Sequence, residues 1–455
     1  MKKIRKIMAL ALVLAMGLPL YGCSEENNKN TEAPDTKTEE ASAASTEEAA
    51  EMEMPSEDGE TIYVYSWNEE AGERLKYFKE AYPQYAERVE FVNLGLEGDS
   101  DEYKVAIETL LQAGYNGTDK YPSIIAADTG WELEYVQSDY TVSLDAIGIG
   151  EEDTKNMYQY TKDYASFDGK TKALTWQASP GCFLYRTDMA EEIIGAADPE
   201  SVQEAVADWD KFIELADKMK AAGYKMLSGP DDIKNPMLAQ KKLPWVTDEK
   251  MNVDPVITDY LETSKKLHDG DYTNKTTVGD TKWESSFDGD VFGWFVSPQF
   301  ISRGINAEMH IGEFNVCQGP AVYACESTYL NVAKGCPDMP LAALVLKTLC
   351  CDEEVMTRIA EDTGDFVNNK TVMSKISDEG KGSLEMLGEQ DPTAIWMKTA
   401  ESLDLSNVSI FDERFNGYLD RASAAYNSGE LESAEDAVEL IKDYVTEAYN
   451  YITVE

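Results

Sequence analysis

Four tryptophans, Trp67, Trp131, Trp176 and Trp294, lie at or near the ends of β-rich runs, where an α/β body presents its ligands, and polar residues stand beside them. Asn68 and Glu69 follow the first, Asp128 precedes the second and Gln177 follows the third, while Gly181, Asp365 and Phe366 complete the candidate set. An indole offers a large flat contact area to an apolar C–H face. Amides and carboxylates bond hydroxyl groups at the edge, and charge-assisted bonds of this kind are the shorter and stronger ones. Platform plus rim is the chemistry of holding a carbohydrate. With Glu70 added, the same carboxylates also suit a polyamine. Trp209 sits on a helix stripe and reads as core, whereas Trp245, Trp283 and Trp396 carry no assignment.

Chemistry that makes or breaks bonds finds little support. His268 and His310 are the only histidines and are far apart, without a nucleophile motif. G-x-x-x-x-G-K-[ST], G-x-G-x-x-G and H-E-x-x-H are all absent from the sequence. An Asp or Glu pair could form a glycosidase couple, yet none is singled out. The expectation is a protein that is not an enzyme and that uses no cofactor and no metal. Cys182, Cys317, Cys325, Cys336, Cys350 and Cys351 show no C-x-x-C spacing, so buried thiols and one or two bridges both remain open.

The N-terminus carries Lys2, Lys3, Arg5 and Lys6, then an apolar run from Ile7 to Leu20. That run is shorter than the about 20 residues of a membrane-spanning helix, so residues 1–22 read as a secretory signal. Leu20-Tyr21-Gly22-Cys23 resembles the bacterial lipobox, which implies acylation of Cys23 and anchorage to the outer side of the cell membrane. Residues 23–60 are rich in Glu, Thr, Ser and Ala and poor in large apolar residues, the composition of a disordered acidic tether. The formal charge is −46, from 86 acidic and 40 basic residues. A surface of that sign repels phosphate backbones, which argues against nucleic-acid binding.

From Thr61 onward short β-rich runs alternate with amphipathic helices, the pattern of an α/β protein. Strands are expected at 61–66, 89–94, 123–127, 172–176, 182–186, 291–296, 320–325 and 329–333. Helices are expected around Leu75 and Phe78, around Ile107 and Leu111, from the Asp208 cap to Gly223, and along Val438, Ile441, Val445, Ala448 and Ile452. Roughly 395 residues exceed one ordinary core and suggest two lobes.

Four stretches resemble the extracellular solute-binding family that includes maltose-binding proteins. They are Trp67-Asn68-Glu69-Glu70, Tyr121 to Asp128, Asp168 to Asp188 with Trp176 and Ser179-Pro180-Gly181, and Val291 to Phe295. The stretch Thr363 to Asn369 supports them. Ser123 and the Val367-Asn368 pair depart from the family pattern and blur which solute is bound. The resemblance implies a two-lobed periplasmic-binding-protein type II fold with an interlobe ligand cleft and a multi-strand hinge. It places residues 61–178 plus 321–363 in the N-terminal lobe and 179–320 plus 364–455 in the C-terminal lobe. It further implies a monomeric receptor that captures a carbohydrate, an oligosaccharide by expectation, by lobe closure and hands it to the permease of an ABC transporter. The alternatives are a polyamine or peptide receptor and, more remotely, a secreted glycosidase.

Overall fold

The computed structural model describes residues 52–98, 100–305 and 309–455. The expected signal, the expected acylation site at Cys23 and the expected tether up to residue 51 lie outside the described residues. The principal strands are β1 (Ile62–Ser66), β2 (Val89–Asn93), β3 (Pro122–Asp128), β4 (Ala173–Leu174), β5 (Cys182–Arg186), β6 (Gly293–Val296), β7 (Phe314–Cys317) and β8 (Thr328–Val332). The helices that matter below are α1 (Glu70–Ala81), α2 (Asp101–Ala113), α3 (Thr129–Gln137), α4 (Trp209–Ala222), α5 (Pro255–Asp269), α6 (Met339–Cys350), α7 (Glu353–Thr363), α8 (Asp412–Ser428) and α9 (Ala434–Ala448).

Two sheets organise the chain. The first runs β2-β1-β3-β8-β4, with β1 parallel to β2 and β3, and β8 antiparallel to β3 and β4. β3 is buried at every position, which is why Pro122 to Asp128 reads as an apolar run rather than an alternation. The second sheet runs β6-β5-β7, all antiparallel, and Phe183 and Tyr185 of β5 pack onto a core shared with α4, α5, α8 and α9.

Helix ends follow local chemistry. The hydroxyl of Ser100 accepts from the Tyr103 amide at the start of α2, and the Asp208 carboxylate accepts from the Lys211 amide at the start of α4. Gly223 closes α4 at φ 94°, a left-handed position that costs glycine little. The tail helix ends at Ala448, earlier than its apolar stripe suggests, because Thr453 instead pairs with the backbone of Glu249 and Met251.

Three connections run side by side between the sheets. The Ala178 amide bonds the Phe366 carbonyl (3.0 Å) and the Asn368 amide the Trp176 carbonyl (2.9 Å). The Gly181 amide bonds the Tyr323 carbonyl and the Cys325 amide the Ser179 carbonyl, both at 2.8 Å. The strand expected at 320–325 is therefore only a single bridge, Ala324 opposite Pro180, since its backbone serves this crossing rather than a sheet.

Residues 52–60, placed in the tether by their composition, are docked on the body. Pro55 is buried, its carbonyl accepts from the Tyr85 hydroxyl (2.9 Å), and the Arg88 guanidinium bonds the carbonyls of Ser56 and Glu60. Apolar content was the wrong measure there, because backbone carbonyls make the attachment. The six described cysteines are all free thiols. No helix among the described residues is long and apolar enough to cross a membrane.

Candidate functional site

At the end of β1, Trp67 is half-buried. Its ring meets Tyr103 edge-on at 5.5 Å, and Gly98 lies so close that a Cβ there would sit 2.5 Å from the indole. Asn68 and Glu69 beside it are exposed. The Asn68 Oδ1 accepts from the Glu70 amide and Glu69 Oε1 accepts from Asn93 Nδ2 (2.7 Å). At the end of β3, Asp128 caps α3 by accepting from the Gly130 amide at 2.9 Å.

One turn on, Trp131 is only 3 % exposed. Lys104 Nζ lies 4.3 Å from the centroid of its ring and the Arg414 guanidinium carbon 5.6 Å. Such contacts are attractive because the ring face is electron-rich. Trp131 and Trp67 belong to one cluster around α2, and the structure brings these two candidates together.

The remaining candidates go elsewhere. Trp176 is wholly buried in the core of the first sheet. Trp294 is wholly buried in another core, stacked on Phe287 at 4.4 Å and 23°, edge-on to Phe314, with its Nε1 donating to Ser286 Oγ (2.8 Å). Neither has a face for a ligand. β6 is an edge strand of a sheet covered by the turn at Phe287, and that cover claims Trp294. Phe366 is likewise buried, between Tyr158 and Trp396.

Gly181 serves packing, since a Cβ would meet the Tyr323 ring at 2.1 Å. Gln177 is buried in the crossing with its Oε1 unpaired. Asp365 has both oxygens engaged: Oδ2 accepts from Arg74 (2.5 Å) and Oδ1 from Arg303. Its carboxylate is fully committed to arginine.

A groove of about 570 Å³ opens beside Trp131. One wall comes from α2 and α3 (Lys104, Glu134, Gln137), and the other from α8, α9 and their flanks (Phe411, Arg414, Tyr418, Tyr449, Tyr451). The walls thus belong to the halves built on the two different sheets. The rings form a continuous set: Phe411 meets Tyr449 at 5.8 Å, Phe415 meets both Tyr418 (5.9 Å) and Tyr449 (5.7 Å), and Tyr449 meets Tyr451 at 5.9 Å. Burial pushes the Tyr449 hydroxyl up, keeping it a neutral donor. Aromatic rings and a few polar groups from both halves thus line this open groove.

None of these second-wall residues stood out in the sequence. A signal was present, since Arg414 and Tyr418 are four apart on one helix and tyrosines crowd the tail at 444, 449 and 451. It takes the fold to set them against α2. Among the described residues no group of His, Cys, Asp or Glu is arranged to hold a metal ion.

Two sheets bridged by three laced connections, with an aromatic groove between them, can be compared with known proteins. A solved extracellular solute-binding protein of family 1 superposes with a TM-score of 0.71 at 15% identity, covering 87% of this chain and all of the other. The transporter-associated binding protein of B. animalis subsp. lactis, in complex with β-1,6-galactobiose, gives 0.66 at 18% identity over 88% of this chain and all of its own. A maltose-bound protein of T. maritima gives 0.62 at 16% identity over 85% of this chain and 99% of its own. The fold is thereby the two-lobed type II periplasmic-binding fold. No curated protein matches the sequence significantly. A family model described as bacterial extracellular solute-binding protein matches residues 73–381, a span running from within α1, after β1, to just past the third connection, and the chain belongs to that family.

Proposed function

We propose that this chain is the lipid-anchored, extracytoplasmic receptor of an ABC importer and that it captures a carbohydrate, an oligosaccharide by preference, between its lobes. The observation that carries the reading is the groove whose rings and hydrogen-bonding groups come from both halves. Solved proteins of the same fold hold galactobiose and maltose, which supports a sugar as the solute. In this reading the lobes are residues 61–178 plus 321–363 and 179–320 plus 364–455. Acylated Cys23 tethers them to the membrane, and the permease is the partner that reads closure. A monomer suffices. No reaction on the solute is required, since a ligand touching both halves shifts the population toward the closed state by its differential affinity.

A sugar would lie on Phe411, Tyr418 and Tyr449 while Arg414 and Gln137 bond its hydroxyls. Calorimetry with a panel of oligosaccharides tests this. Tyr418→Ala and Phe411→Ala are each expected to weaken the binding sugar by about 1–3 kcal/mol, the loss typical of an anchor residue. Wild-type affinity in both variants would remove the groove from the site.

A further inference from the structure

We propose that Glu132 is a proton-binding site, a neutral carboxylic acid that closes a two-bond ring with the amide of Asn331 and so fastens α3 to β8. Glu132 lies in the first turn of α3, and Asn331 lies on β8, a strand bonded on both sides, by β3 and β4. Both side chains are wholly buried. Asn331 Nδ2 donates to Glu132 Oε2 at 2.6 Å. That bond brings the two planar groups together and leaves each with one buried oxygen, Glu132 Oε1 and Asn331 Oδ1, that has no partner.

Two unmet acceptors on one buried pair are costly, because each has given up water and received no donor in exchange. A single proton removes both defects. Placed on Oε1, it makes that oxygen a donor, and Oε1–H then bonds Asn331 Oδ1. An ionised Glu132 is an acceptor only and leaves Asn331 Oδ1 bare.

The surroundings favour the proton. The groups facing Glu132 are Asp128 at the end of β3, Lys172 beside β4, Tyr329 on β8, Tyr164 of the helix Gln159–Tyr164 and Tyr135 on α3 itself, with Asp412 and Glu413 of α8 beyond Tyr164. Lys172 is the one cation in that set, and its Nζ donates to the Ser138 carbonyl at 2.6 Å. A carboxylate there would lose its hydration with no ion pair to offset the loss. Burial accordingly holds the Glu132 carboxyl well above the ordinary carboxylate range, outweighing the Asn331 bond and Lys172, and Asp128 adds to the rise. The same helix carries Trp131 and presents Glu134 and Gln137 to the groove, so the bound proton secures the wall on which they stand.

An unfolded glutamate releases its proton near 4.5 and the native one far above it. Between those values the native state holds the extra proton, so stability owed to Glu132 falls as pH rises. Calorimetry on the full-length chain from pH 5 to pH 9 compares wild type with Glu132→Gln, whose amide can make both bonds of the ring without titrating. The variant's Tm is expected to gain on wild type by about 1–2 °C per pH unit over that window. A constant offset would overturn the proposal. Infrared difference spectra at pH 8 give a readout that packing alone does not move: wild type should show the carbonyl stretch of a protonated carboxylic acid, and Glu132→Gln should lack it. A wild-type spectrum without that band would sink the neutral acid. Glu361→Gln, which changes an exposed carboxylate paired with Lys381, is the control and should alter neither the band nor the slope. Since glutamine reproduces both bonds, failure of Glu132→Gln to fold would also count against the ring. Neither measurement needs a solute, so the result is independent of the receptor reading.

Discussion

Trp294→Ala separates a core role from a ligand platform. The indole is wholly buried, stacked on Phe287 and edge-on to Phe314. Its truncation opens a cavity, for which Trp and Phe to Ala changes cost about 3–5 kcal/mol. It also strips Ser286 Oγ of the donor that reached it at 2.8 Å, a further loss of about 1 kcal/mol. Ser286 keeps its own bond to the Trp283 carbonyl, so the local turn persists. A total of about 5 kcal/mol, set against an unfolding entropy of about 0.85 kcal/mol/K for about 400 residues, lowers Tm by about 6 °C. Differential scanning calorimetry reads that shift, and titration with a binding sugar should show affinity little changed on the folded protein. A Tm within about 1 °C of wild type together with lost affinity would refute the reasoning and return Trp294 to the site.

Gly181→Ala should lower Tm by a few degrees in the same assay, at a cost of about 1–3 kcal/mol, because the new Cβ strikes a Tyr323 ring whose hydroxyl is bonded to the Cys182 carbonyl. Asp232 is pushed up to about 7 by burial first and by Asp231 second, while an unfolded aspartate releases its proton near 3.8. Between those values the native state holds the extra proton, so this group makes stability fall as pH rises, by at most about 1.4 kcal/mol per pH unit. Urea titrations from pH 4 to pH 8 should show a flatter decline in Asp232→Asn than in wild type, and equal slopes would contradict the assignment. Removing residues 24–51 should leave Tm unchanged, whereas removing 24–60 should lower it, because only the longer deletion takes away the carbonyls held by Tyr85 and Arg88. Limited proteolysis that cuts within 52–60 as fast as upstream of it would argue against that attachment.

Local patterns in the sequence determined most of the framework. The short apolar runs at 62–66, 89–93 and 122–128 form neighbouring strands, and the Asp208 and Gly223 signals bound α4, because strand periodicity and helix caps are properties of consecutive residues. The run at 320–325 was misread for the same reason: its composition is strand-like, but its partner is a crossing connection that no local pattern announces. Trp67 and Trp131 could be singled out by their place at strand ends, and they do share one cluster. Trp176, Trp294, Phe366 and Asp365 had equally suggestive neighbours, yet tertiary packing put three of them in cores and gave the fourth to Arg74 and Arg303. Phe411, Arg414, Tyr418 and Tyr449 became a wall of the groove only because α8 and α9 fold back, some 300 residues along the chain, against α2 and α3. Whether an aromatic faces solute or core depends on what covers it, and that is set by the arrangement of distant elements rather than by the residues next in line.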